Sequence, residues 1–230
     1  MMVIAAAVVP HPPVLVPEIA QGFAPDLDPL RAACAIAIDR LYAVHPDEIL
    51  VVGAGSRPST HVAGIGSLRE YGLDLTVEGR WPEPEAGAEK MTLPFLIGAW
   101  LLRDHPDTPV RRPVMLGADG TAPETATGGR RAMLVLGDGS ASRSPQAPGH
   151  FDERAEEYDR VVAEALATAD TKALAALDPE LSRQLHVAGL PAWQALAAAA
   201  DASDVEYDAE LLYDDAPYGV GYFVASWIAR

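Results

Sequence analysis

The stretch "VIAAAVV" (Val3–Val9) is an apolar run stopped by Pro10; it is followed by "DLDPLRAACAIAIDRLYAV" (Asp26–Val44) and then by "DEILVVGAG" (Asp47–Gly55). The first run reads as a short buried strand. The second reads as a helix, with Asp28 as N-cap and Pro29 at the first helical position. The third reads as another buried strand, ending in glycines. Strand, loop, helix and strand in that order make a βαβ unit, which favours a sheet with a parallel part.

"RRPVMLGADG" (Arg111–Gly120) and "RRAMLVLGDGS" (Arg130–Ser140) are two more apolar runs, each closed by Asp-Gly. Both fit core strands with turns at their C-terminal ends. Gly72–Glu78 alternates weakly as a strand would, "RWPEPEAGAEK" (Arg80–Lys90) reads as loop, and Leu93–Arg103 reads as a helix. Asp152–Ala169 is patterned as a helix capped by Asp152, and shorter helices are expected at Pro179–Gln184 and Pro191–Ala200. The tail, Asp204–Trp227, reads as two strands joined by a turn near Asp214–Pro217. No fixed-period repeat or low-complexity linker divides the chain. The expected architecture is a three-layer α/β/α sandwich with a mixed central sheet, one domain over residues 1–230.

The 33 acidic and 17 basic residues give a formal charge of -16. Binding to a phosphate backbone is disfavoured, because counterion release needs a cationic surface. The opening apolar run is broken by proline too early to span a bilayer, and no basic region precedes it. A cytoplasmic protein without membrane or nucleic-acid partners is expected. Cys34 is the single cysteine, which leaves no disulfide framework or thiolate zinc cluster. Its spacing to Leu30, Ala37, Ile38 and Leu41 puts it on the apolar face of the helix as a buried thiol.

Ligands of open α/β sheets sit beyond the carboxyl ends of strands. His11, the Gly53–His61 loop and the Gly137–Arg143 loop occupy such positions. His11 stands in a loop stiffened by Pro10, Pro12, Pro13 and Pro17, and that stiffness suits either a metal ligand or a structural elbow. His61 lies some residues past the second strand, from where it could join His11 at a metal. His45 and His105 each occur as His-Pro-Asp after a helix and read as structural residues near its negative end. "GAGSRPS" (Gly53–Ser59) lacks the third glycine of a dinucleotide fingerprint. "GDGSAS" (Gly137–Ser142) does not match a nucleophile elbow, and Ser140 and Ser142 have no evident triad partners.

Four stretches, taken together, resemble one family. "AVVPHPPVLVPE" (Ala7–Glu18), "PQAPGHFDERAEEYDRVVAEALATAD" (Pro145–Asp170), "LDPEL" (Leu177–Leu181) and "LYDDAPYGVGYFVASW" (Leu212–Trp227) are similar to segments of the class III extradiol ring-cleavage dioxygenase superfamily, whose members include the Memo-like proteins. The resemblance implies the three-layer fold with a mixed sheet. It also implies, in active members, a mononuclear non-haem Fe(II) site of two histidines and a carboxylate that binds a catechol and dioxygen. His11 matches the first ligand position and His61 is the candidate for the second. At the third position "LHVAGLPAW" (Leu185–Trp193) has Val187 with His186 beside it, so His186 completes the expected set, with Fe(II) or Zn as the ion. Where the family has its acid/base histidine this chain has "GDGSASRS" (Gly137–Ser144), which leaves Ser142, Arg143 or His150, with Arg143 and His150 as the catalytic candidates. Asp214 and Asp215 are not ligands in the family pattern.

The leading expectation is therefore a non-haem metal-dependent oxidoreductase of dioxygenase type acting on a small substrate such as an aromatic diol. The alternatives are a catalytically degenerate member that binds a small molecule or protein, and a hydrolase using metal-bound water. The edge of the C-terminal strand pair would permit a homodimer.

Overall fold

The structure, a computed structural model, describes residues 2–82, 87–123 and 129–230; part of the loop expected at Arg80–Lys90 lies outside them. In chain order the elements are β1 (Met2–Val9), α1 (Pro17–Ala20), α2 (Asp28–Ala43), β2 (Glu48–Ala54), β3 (Ile65–Ser67), β4 (Thr76–Glu78), α3 (Leu93–Leu101), β5 (Val110–Leu116), β6 (Arg130–Leu136), α4 (Ala155–Thr168), α5 (Thr171–Ala175), α6 (Pro179–Gln184), α7 (Leu190–Asp201), β7 (Tyr207–Asp215) and β8 (Tyr222–Ala229). Six strands form one mixed sheet in the order β5-β2-β6-β1-β8-β7. β1, β2, β5 and β6 run parallel, while β8 is antiparallel to both β1 and β7. The β3–β4 ribbon stands apart from that sheet.

Strand alternation builds two apolar layers. Ala5, Ala7 and Val9 of β1 join Ile49, Val51, Leu134 and Tyr222 on the face covered by α2 and α3. Ala6, Val8, Leu50, Val52, Val135 and Phe223 face the other way, under α4, α5 and α7. Val3 belongs to this second layer although its parity is that of Ala5. The register shift between Val3 and Ala5 explains it, because one extra residue in a strand reverses which face the following side chains take.

Several boundaries differ from the sequence reading for local reasons. Asp28 is the first residue of α2 and makes no cap; Leu27 holds the cap position, and the Asp28 carboxylate is engaged by Arg31 at 2.7 Å. α4 begins at Ala155, and Asp152 accepts the Arg154 N–H just ahead of it, at 2.9 Å. The helix α5, not expected from the sequence, is capped by Asp170, whose side chain accepts from Ala173 N. Gly72–Glu78 yields only the three residues of β4, paired with β3.

The connections decide where a ligand can enter. After β1 the chain crosses to α2 on one face of the sheet, and after its neighbour β6 it leaves to α4 on the opposite face. In open α/β sheets ligands bind at the carboxyl ends of strands that diverge in this way. Gly137, the first residue past β6, donates to Val9 O at 3.0 Å. A Cβ on Gly137 would lie 2.5 Å from Gly189 Cα and 3.1 Å from Trp193 Nε1, so the loop and the start of α7 meet backbone to backbone. Gly137→Ala is expected to cost about 1–3 kcal/mol by overpacking, read as a lower urea midpoint at unchanged slope. A midpoint equal to that of the native chain would show that this contact yields freely.

Candidate functional site

His11 and Asp138 face each other just beyond the carboxyl ends of β1 and β6. The His11 backbone N–H donates to Asp138 Oδ1 at 2.7 Å, and the ring nitrogen Nδ1 is 3.7 Å from the same oxygen. The residue is 5% exposed, and its Nδ1 is buried without a hydrogen-bond partner. Nδ1 is thus turned to the carboxylate at ion-pair range, and Nε2 is engaged by no described side chain. Burial raises the Asp138 carboxyl above its usual range, against the opposing pull of the His11 ring and of its N–H.

The Asp138 backbone is clamped as well. Its carbonyl accepts Gly189 N at 2.8 Å, Gly139 N donates to Gly221 O at 2.7 Å, and Gly221 N returns a bond to Ser140 O at 2.8 Å. The β6–α4 loop therefore lies between the β7–β8 turn and the start of α7. Asp159 of α4 fixes it from below: its carboxylate accepts Ser140 N at 2.8 Å and Ser140 Oγ at 2.7 Å, with Arg143 at 3.2 Å. At 1% exposure, burial raises the Asp159 carboxyl while the Ser140 and Arg143 hydrogen bonds pull it down.

The apolar layer under α2 includes Tyr222, with Tyr213 and Tyr218 packed against it. Tyr222 at the start of β8 is buried, and burial raises its phenol, as do Asp138, Tyr218 and Tyr213 nearby. The phenol of Tyr213 is pushed up to about 12, by burial first and then by Asp215, Cys34, Tyr218 and Asp214. Cys34 is the buried thiol expected on α2, held protonated by burial with Asp138 adding to the effect.

The remaining candidates are placed elsewhere. Ser59 pairs with Met115 on the free side of β5, the edge strand, and His61, two residues on, is exposed there. Two strands separate β5 from β1, so three strand spacings, about 14 Å, divide their axes. His186 is exposed in the α6–α7 turn; its ring lies against Gly149, where an added Cβ would meet Cδ2 at 2.7 Å. His150, beside Gly149, is also exposed and has a positive φ of 61. Arg143 is committed to Asp159 and lies 3.7 Å from Glu156. Ser142 is buried and donates weakly to Gly149 O, at 3.4 Å. His105 stacks on Tyr42 at 4.8 Å and meets Asp39 at 3.0 Å, a structural role; His45 N donates to Tyr42 O at the end of α2.

Among the described residues no three His, Cys, Asp or Glu side chains converge as a metal site. His11, His61 and His186 are not brought together, and the carboxylate that does meet His11 is Asp138, which by sequence reads as no more than a turn residue. Iron of the facial-triad type or catalytic zinc needs three protein ligands, and His11 with Asp138 supplies two. The described residues do not fit that group. No described helix is long and apolar enough to cross a membrane. In comparison with known proteins, no family model matches the chain and no curated protein matches it.

The two buried carboxylates can be tested by their energetics. An acid whose pKa is raised by folding stabilises the fold fully below its ordinary 3.8 and loses that contribution as pH rises through the raised value. The stability of the native chain minus that of Asp138→Asn should therefore fall as pH climbs above 3.8, measured by urea unfolding on both sides of that value; a flat difference would refute the assignment. Asp159→Ala strands the Arg143 guanidinium and the Ser140 donors and should cost about 3–5 kcal/mol. A loss under ~1 kcal/mol would mean that the loop is held by its backbone bonds alone.

Proposed function

We propose that the chain, as a degenerate relative of the class III extradiol ring-cleavage dioxygenases, binds a small phenolic molecule at the carboxyl ends of β1 and β6. His11 acts there as the proton acceptor and Asp138 as its orienting partner. The observation that carries this reading is the buried His11 ring, with Nδ1 set 3.7 Å from a nearly enclosed carboxylate on the adjoining loop. The family assignment itself rests on the sequence resemblance.

The chemistry is that of an oriented imidazole. With its proton on Nδ1, directed at Asp138, the ring presents Nε2 as an acceptor. A phenol O–H donates to Nε2, and transfer of that proton leaves an imidazolium whose charge Asp138 offsets. Closing the 3.7 Å gap to hydrogen-bond range needs less than about 1 Å of movement, which apo sites commonly make on binding. Pro10, Pro12 and Pro13 keep the acceptor in place before the ligand arrives, so little ordering entropy opposes binding.

Titration calorimetry of the metal-stripped chain with catechol tests the reading. The native chain should bind, and His11→Ala should bind at least about tenfold more weakly, the ~1.4 kcal/mol of one hydrogen bond to a group that acquires charge. Equal affinity in the two would remove His11 from the site. Stoichiometric Fe(II) uptake under anaerobic conditions, lost in His11→Ala, would replace this reading with the metal-dependent one.

A further inference from the structure

We infer that the groove between α4 and the α5–α6 segment binds a small organic cation, an apolar chain or ring that fills the groove and carries an ammonium left at its rim. The site is separate from His11 and Asp138, neither of which lines the groove. Its volume is about 650 Å³, within the roughly 300–1,000 Å³ typical of small-molecule sites.

The floor of the groove is apolar. Tyr158 and Val161 of α4 line one side, and Ala173, Ala176, Leu177 and Leu181 line the other. Tyr158 and Leu177 are buried, Val161, Ala173 and Leu181 are half-buried, and Ala176 is exposed. Apolar surface therefore lies open that a ligand would withdraw from water. The Tyr158 hydroxyl is the one polar group among these six side chains. Because the Ser182 hydroxyl donates to Asp178 O at 2.6 Å, the Tyr158 phenol is the donor in its 2.7 Å bond to Ser182 Oγ. With that donor committed, a polar group placed deep in the groove would lose water without a partner.

The rim decides the sign of the charge. Glu153 and Glu157 stand on the α4 side and Asp178 at the start of α6, and Arg154 is the one base among the lining residues. Arg154 is already engaged: it donates to both Asp152 oxygens, at 2.9 and 2.6 Å, and to Gln184 Oε1 at 2.9 Å. Helix starts are the other places where an anion finds donors, and acids of the chain close all three beside the groove. Asp152 accepts Arg154 N ahead of α4 at 2.9 Å, and Asp170 accepts Ala173 N of α5 at 3.0 Å. Asp178 Oδ1 accepts Glu180 N and Leu181 N of α6 at 2.8 and 3.3 Å. Glu157 is bound by Arg160. Glu153 has no basic partner among the described residues, and Asp178 Oδ2 has no donor among them; both residues are exposed. An ammonium at the rim thus meets two carboxylates with acceptor capacity, and a ligand carboxylate meets the same two with no donor in return.

Three ligands that share one chain test this: octylammonium, 1-octanol and octanoate, titrated by calorimetry at neutral pH and low salt, where exposed charges are least screened. The native chain is expected to bind octylammonium about fivefold tighter than 1-octanol, and octanoate at least about fivefold weaker than 1-octanol. In the double variant Glu153→Gln with Asp178→Asn, where asparagine still caps α6, the octylammonium preference falls toward one and 1-octanol binds as before. Ala176→Trp, at an exposed position, fills the groove and weakens all three ligands at least about tenfold with an unchanged far-UV circular dichroism spectrum. The inference is overturned if octanoate binds as tightly as octylammonium, if the double variant keeps the native preference, if binding survives Ala176→Trp, or if none of the three ligands binds.

Discussion

Three donors converge on the Asp159 carboxylate, two from Ser140 and one from Arg143, and all three belong to the loop that follows β6. That loop has no helix or strand of its own between Leu136 and Ala155, so side-chain bonds must supply what a ladder supplies elsewhere. Asp159 can reach it because Gly139 and Gly221 have no Cβ: an added one would stand 2.9 Å and 2.5 Å from the carboxylate oxygens. The same contact fixes the β7–β8 turn, through the bonds between Gly139, Ser140 and Gly221. With the loop pinned, Asp138 faces His11; without it, the carboxylate would have no set distance from the ring.

A buried carboxylate is costly unless its oxygens are satisfied. Asp159 and Asp138 meet this condition in opposite ways. Asp159 accepts bonds on both oxygens and faces a guanidinium, which suits a fixed anchor. Asp138 accepts one bond, from the His11 backbone N–H, with the His11 ring beside it at 3.7 Å. That difference in satisfaction separates two acids at the same loop: one is fixed by its bonds, while the other keeps acceptor capacity in reserve.

The fold is legible in the sequence where the hydrophobic pattern is strong. The βαβ opening, the two strands ending in Asp-Gly and the closing strand pair all form as their periodicity indicates, because their apolar faces have one economical way to be buried. Cap assignments at Asp28 and Asp152 are less legible, since an acid near a helix start can bond an arginine as well as an N–H. In the site, His11 is visible through the prolines around it. Asp138 is hidden by its context: flanked by Gly137 and Gly139, it reads as a turn, and only the placement of β6 beside β1 shows that the turn faces His11. The order of the parallel strands is what sequence alone leaves open, and it also sends His61 to the outer edge beyond β5.

The excess of acidic residues acquires a structural sense from the way the arginines are used. Arg57, Arg69, Arg154, Arg160 and Arg183 are bound to nearby carboxylates on the surface, and the buried Arg131 pairs with Glu48 of the neighbouring strand. Arg111, wholly buried, is held by the carbonyls of Leu102, His105 and Pro106. Positive charge is thus absorbed into the scaffold, and the acids left over set the field outside it. Individually the exposed pairs add little stability. Collectively they leave the formal charge of -16 with little free positive charge among the described residues to divert it, so the field of the molecule attracts small cations and repels anions.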